Sequence, residues 1–257
     1  MQMFDADKLY PRETELDDGR VMRVYQSEVG DVGCVVWDAA IVLAKFYEHL
    51  SGVSHEGSTF DDPAAAAAVQ CLCQLRQWVS ACNEGKLSVL ELGAGTGYVG
   101  LVAAAMGARV TVTDLSEFID LMRHNIDSNV EVIQQKQGVC HVLELVWGVS
   151  LPTLTLPTLT SNCPKPSLIL LADCIYYEES LEPLVKTMVS ASSQDTLIIC
   201  CHEHRTTDNK PHLQKQFFEE VSKHFRVTRI PTILQHPVYS SDDIHIHIFR
   251  LHDQPPS

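Results

Sequence analysis

Several things are missing from this sequence, and each absence narrows what it can be. No apolar run approaches the roughly 18 residues that a membrane-spanning helix requires, so no span is expected. The opening stretch, MQMFDADKLYPRETELDDGR, is acidic and polar and has neither the basic start nor the apolar core of a secretory leader. A soluble, intracellular, cytoplasmic protein is expected. Basic residues are scarce: 19 Lys and Arg stand against 33 Asp and Glu, a formal net charge of −14. Without a basic stripe or an arginine-rich arm, phosphate backbones are repelled over most of the surface, which argues against nucleic acid as a partner. A basic peptide or a lysine-bearing protein surface suits this charge better, although solubility alone also explains it.

Metal-binding spacings are missing too. There is no Cys-x-x-Cys and no His-Glu-x-x-His. The pairs His202/His204 and His245/His247 could each share a strand face, and Cys71/Cys73 lie in a helical pattern with poor ligand spacing, so no metal is expected. The nine cysteines are odd in number and fall largely in apolar segments, as buried reduced thiols do and a disulfide framework does not.

What is present is a chain of 257 residues, 45% hydrophobic, enough to bury a full core. From about residue 87 short apolar runs alternate with amphipathic stretches. The runs are KLSVLELG, ARVTVTD, VCHVLELVW, SLILLAD, DTLIICCH, FRVTRI and DIHIHIFRL. Helical patterns separate them at YVGLVAAAMG, SEFIDLMRHNIDSN, ESLEPLVKTMVSA and KPHLQKQFFEEVSKHF. This alternation predicts an α/β fold, a mostly parallel sheet with helices on both faces. The earlier runs are nearly all apolar, as in strands buried on both faces. DIHIHIFRL has period two and suits a strand nearer an edge. Residues 1–86 read as an N-terminal cap on the same domain and 87–252 as its core, one domain over 1–257. Within the cap, VMRVYQS and GCVVW predict a short hairpin, DAAIVLAKFYEHL a helix, and Asp62-Pro63 a second helix start. Trp78 in that second helix reads as core. LPTLTLPTLT, a direct duplication at 151–160, predicts an extended surface loop.

The most informative stretch is Glu91-Leu-Gly93-Ala94-Gly95-Thr-Gly97, between a strand and a helix. Glycines permit a tight turn and close ligand approach, and the following helix presents free N–H groups. Asp114 follows Gly93 by 21 residues, at the tip of the second strand, where an acid can accept both ribose hydroxyls of an adenosine. A dinucleotide site would want its third glycine at 98, which is Tyr98. The spacing fits S-adenosyl-L-methionine instead. Asp173, in Ala172-Asp173-Cys174-Ile175-Tyr176-Tyr177, ends the fourth strand of the core, beyond which open parallel sheets bind ligands.

Together Trp37-Asp38-Ala39-Ala40, ELGAGTGYVGL, VTVTDL, Trp147-Gly148 and ADCIYYEESLEPL resemble the seven-strand protein-lysine methyltransferases that carry a D-x-x-Y motif. The likeness runs from about residue 20 to about 250 and departs at the LPTLT duplication and at residues 58–83. It implies a Rossmann-like class I methyltransferase fold and S-adenosyl-L-methionine as cofactor. It further implies cofactor contacts from Trp37, Glu91, Gly93, Ala94, Gly95, Asp114, Trp147 and Ala172, and catalytic roles for Asp173 and Tyr176 at a lysine channel. Glu203 and Arg205 look like a further matched pair. GCVVWDAAIVL, ADCIYYEESLEPLVKT and SSDDIHIHI are closest to family members that methylate valosin-containing protein, a hexameric AAA ATPase, which is the implied protein partner. Methyl transfer to another protein, to RNA or to a small molecule, and a non-catalytic scaffold that binds the cofactor, are the competing readings.

Overall fold

The computed structural model describes residues 8–52, 63–149, 157–158, 165–207 and 209–253. In chain order, strands β1 (Leu9–Glu15) and β2 (Val21–Ser27) precede helices α1 (Asp38–Gly52) and α2 (Pro63–Asn83). Then come β3 (Ser88–Leu92), α3 (Tyr98–Ala105), β4 (Arg109–Asp114), α4 (Ile119–Asp127), the short α5 (Val130–Gln134) and β5 (Val139–Glu144). The chain continues through β6 (Leu168–Ala172), α6 (Glu178–Ala191), β7 (Leu197–Glu203), α7 (Lys210–Ser222), β8 (Phe225–Ile230) and β9 (Ile244–Leu251).

The seven core strands form one sheet in the order β5-β4-β3-β6-β7-β9-β8. The first five are parallel, and β9 runs antiparallel to both of its neighbours. All seven apolar runs are strands of this sheet. Successive side chains of a strand point to opposite faces, and the burial follows that alternation. Val89, Leu168, Leu170, Leu197 and Ile199 pack with α1, α2 and α3 on one face. Leu90, Leu92, Ile169, Leu171 and Ile198 pack with α6 and α7 on the other. Each fully buried Leu or Ile contributes about 1.5–3 kcal/mol. This is why the central runs contain almost nothing but Val, Ile, Leu and Cys.

Four expectations need correction. VMRVYQS, now β2, does not pair with GCVVW; it pairs antiparallel with β1, LYPRETE, and residues 32–34 form a single 3-10 turn. The mixed charges of LYPRETE conceal a strand whose outer face is solvated. VCHVLE (β5) is only partly buried, because it is the sheet's edge. Cys73 is exposed, unlike Cys82, Cys174, Cys200 and Cys201. Of the duplicated segment only Pro157 and Thr158 lie within the described residues, and Thr158 is buried with its hydroxyl 3.0 Å from that of Thr111. That position is not a solvated loop.

The β1–β2 pair is held by side chains of α4 and of the turn between α4 and α5. Asn125 accepts the Tyr25 N–H at 2.7 Å and donates to the Tyr25 and Thr96 carbonyls. Asn129 accepts the Arg23 N–H at 2.8 Å and donates to the Arg23 carbonyl. Two amide side chains thus do for β2 what a third strand would do. α1 and α2 cover the same sheet face as α3, and Trp78 donates to the Ser167 and Asp195 carbonyls from α2. Among the described residues no helix is long and apolar enough to cross a membrane.

The chain leaves β3 toward β4 and β5 on one side, then returns to build β6 and β7 on the other. Strand order therefore reverses between β3 and β6. In an open parallel sheet this reversal opens a crevice beyond the strands' carboxyl ends.

Candidate active site

The crevice begins where β3 ends. Gly93 and Gly95 adopt φ of +62° and +53°, a region that residues with a Cβ seldom enter. Space forbids a side chain as well. A Cβ on Gly95 would lie 2.5 Å from the Gly33 carbonyl oxygen, and one on Gly93 would lie 2.8 Å from both the Cys174 sulfur and the Trp147 ring. The loop is pinned from below: the Ala94 N–H donates to the Thr113 carbonyl at 3.0 Å and the Gly95 N–H to Asp114 Oδ2 at 2.7 Å. It then turns directly into α3.

Two acids support this loop differently. Glu91 is buried, and its Oε2 accepts the Gly100 N–H in the first turn of α3 at 2.7 Å. Burial raises its carboxyl pKa to about 8. Its contribution is to fix the loop against the helix. Asp114, at the tip of β4, accepts the Gly95 and Leu115 N–H groups, one on each oxygen. Burial raises its pKa to about 6 despite those bonds. A carboxylate has about four acceptor positions, so each oxygen keeps one toward the crevice.

Across the crevice, β6 ends in Ala172 and Asp173. Asp173 has φ of +53°, and its N–H donates to the Cys201 carbonyl at 2.8 Å. Its Oδ1 accepts the Glu203 N–H at 3.2 Å, and its Oδ2 accepts from Arg205 Nη2 at 2.6 Å. Arg205 also donates through Nε to Glu203 Oε2 at 2.9 Å, and its guanidinium lies 5.5 Å over the Trp37 ring. The Asp173–Glu203–Arg205 cluster sets two carboxyl groups against one guanidinium. Burial pushes the Asp173 carboxyl up, and the Arg205 charge pulls it back. Tyr176 packs edge-on against Tyr177 at 4.6 Å, and burial raises its hydroxyl well above the usual range, so it stays protonated. Lys210, the first residue of α7, donates through Nζ to the Tyr176 carbonyl at 2.9 Å.

Trp37, Glu91, Gly93, Ala94, Gly95, Asp114, Ala172, Asp173 and Tyr176 all line this one crevice. Trp147 is not on its wall but stands behind Gly93. Glu203 and Arg205 meet Asp173 directly. Unnamed by the sequence reading were Val32 and Gly33, whose turn closes over Gly95, Phe118 after Asp114, and Lys210. The Trp37 indole N–H donates to the Val32 carbonyl at 2.8 Å and so ties this turn to the start of α1. These contacts join residues far apart in the chain through backbone atoms, which no side-chain pattern announces. The histidines pair across strands, His202 stacked on His247 at 5.4 Å and His204 on His245 at 5.0 Å. Among the described residues no three His, Cys, Asp or Glu side chains are grouped so as to hold a metal ion.

Several known proteins are similar to this chain. The protein N-lysine methyltransferase METTL21A of Xenopus tropicalis is 31% identical over 85% of this chain and 77% of its own length. Its counterpart from Danio rerio is 31% identical over 77% of this chain and 71% of its own. Among solved structures, the glycopeptide N-methyltransferase MtfA with sinefungin aligns over 77% of this chain and 89% of its own, at 11% identity and a TM-score of 0.49. The sequence pattern of the lysine methyltransferase family matches residues 16–224, most of the chain. The chain belongs to that family of lysine methyltransferases, enzymes whose methyl donor is S-adenosyl-L-methionine.

Proposed function

We propose that the chain, acting as one domain, methylates a lysine of another protein and that this protein is a AAA ATPase, valosin-containing protein. Asp173 and Tyr176 are assigned to the reacting side of the crevice and the glycine loop with Asp114 to the cofactor side. The observation that carries the reading is that a single crevice joins the left-handed glycine loop and Asp114 to the Asp173–Tyr176 pair. The resemblance of residues 33–43, 172–187 and 240–248 to family members acting on valosin-containing protein supports the choice of substrate.

The residues present fit the cofactor. Asp114 offers spare acceptor positions to a vicinal diol, the side-chain-free surface of Gly93 and Gly95 admits a ligand close to the backbone, and Trp37 and Phe118 supply aromatic wall. When bound, S-adenosyl-L-methionine supplies an electrophilic methyl on a positively charged sulfur. Gly93, Ala94, Gly95, Asp114, Ala172 and Trp37 would hold it, with Trp147 backing Gly93 from behind the wall and Glu91 keeping the loop in shape.

The lysine amine must lose its proton to attack. From an ordinary pKa near 10.4 that costs roughly 4.6 kcal/mol at pH 7. A dry crevice beside a positive charge lowers this cost. The Asp173 carboxylate opposes it, so Asp173 attracts and aims the ammonium and water carries the proton away. Arg205 cancels part of the local negative charge and fixes the carboxylate. The Tyr176 ring packs the alkyl stem. Positioning supplies most of the acceleration.

Asp173→Ala is expected to abolish transfer while cofactor binding, read by calorimetry, persists. Mass spectrometry of a cell lysate methylated by the wild-type chain, with Asp173→Ala as control, is expected to reveal one dominant methylated protein, the AAA ATPase. A spread of unrelated proteins would overturn the choice of substrate.

A further inference from the structure

The crevice already contains a lysine. Lys210 lines it together with Gly93, Asp114, Asp173 and Tyr176. Its ammonium rests on the carbonyl of Tyr176, three residues beyond Asp173. The ion pairs of the crevice join Arg205 to Asp173 and Glu203, and among the described residues no carboxylate lies within ion-pair distance of Lys210. A lysine that only anchored α7 would gain more from a carboxylate than from a neutral carbonyl. Its one hydrogen bond there is weak enough to exchange.

We propose that Lys210 is itself a methylation site, modified by the chain that carries it. The inference rests on the methyltransferase reading of this crevice and extends it to a substrate built into the fold. The four-carbon stem is flexible, so release of the Tyr176 carbonyl lets the amine turn inward from the mouth. Because it is tethered, no encounter step is needed, and a moderately well-posed amine can still react. In the step, a proton leaves the Lys210 ammonium to water. The freed lone pair bonds to the methyl carbon, the carbon–sulfur bond breaks, and its electron pair stays on sulfur, leaving a neutral thioether. Each methyl replaces one N–H, so a third methyl removes the last donor to the Tyr176 carbonyl.

The test uses the full chain with S-adenosyl-L-methionine carrying an isotopically labelled methyl, followed by peptide mapping. Label is expected on Lys210, at a rate per molecule unchanged by dilution of the protein, and Lys210→Arg is expected to reduce total incorporation to background. Label confined to other lysines would overturn the proposal. So would label on Lys210 whose rate per molecule falls in proportion to dilution, because it then comes from another copy. Mapping of the wild-type chain decides the matter even if the variant folds poorly. Calorimetry with the unlabelled donor separates the two levels of inference: donor binding without label on Lys210 rejects this proposal alone, whereas absence of binding rejects the methyltransferase reading beneath it.

Discussion

At the scale of single residues, the site depends on positions where no substitute fits. Gly95→Ala combines a left-handed backbone with a Cβ 2.5 Å from the Gly33 oxygen. A loss of about 1–3 kcal/mol in urea-unfolding stability is expected, along with weaker donor binding by calorimetry as the Val32–Cys34 turn is displaced. Glu91 gives a pH signature. Its folded pKa, about 8, exceeds the ordinary 4.5, so the folded chain keeps a proton that the unfolded chain releases between those values. The associated stability is full below pH 4.5 and drains away as pH rises through 8. Glu91→Gln keeps an acceptor for Gly100 and is expected to flatten that slope in urea midpoints measured across this range. The sequence made Gly93, Gly95, Asp114 and Asp173 legible because their chemistry is stated by residue type and spacing. It did not make Arg205 or Lys210 legible as partners of Asp173 and Tyr176, because those contacts arise only once β6, β7 and α7 are side by side.

At the scale of elements, periodicity revealed the sheet and concealed the brace. The seven strands were readable because burial on two faces demands nearly unbroken Val, Ile and Leu. β1 was not, because its outer face needs no apolar residues, and its partner β2 is secured by Asn125 and Asn129 instead of by a neighbouring strand. An asparagine in an amphipathic helix and another in the turn after it look like surface, yet both are buried. Asn125→Ala orphans the Tyr25 N–H and the Tyr25 and Thr96 carbonyls together. Since each buried unsatisfied group costs about 1–3 kcal/mol, the loss should total at least about 3 kcal/mol, and amide exchange at Tyr25 should accelerate far more than at the β3 amides. Substitution of Asn129 should loosen Arg23 in the same way.

At the scale of the whole molecule, opposing titrations and overall charge set the working conditions. His202 and His247 are buried with pKa values lowered to about 4 and about 3, chiefly by desolvation. Their unfolded forms gain a proton below 6.5 that the folded forms refuse, so their contribution is full above pH 6.5 and is lost as pH falls through 4. This trend opposes that of Glu91 and Asp114, and the stability curve is expected to peak between the two, at mildly acidic to neutral pH, in urea midpoints. The net charge of −14 acts on encounter. Asp31, Asp38, Glu117 and Glu178 are exposed, each next in sequence to a residue that lines the crevice, and added salt is expected to raise KM for a lysine-rich substrate while leaving kcat nearly unchanged.

The antiparallel strand β9 has a consequence for how the protein is made. Nothing before residue 244 can bridge β7 to β8, although both are synthesised earlier. While the chain grows on the ribosome, the outer border of β7 must wait with its amides unclaimed, beside a strand it cannot yet reach. A nascent chain stalled short of that point would carry every residue of the crevice and still present a sticky, open flank to its neighbours.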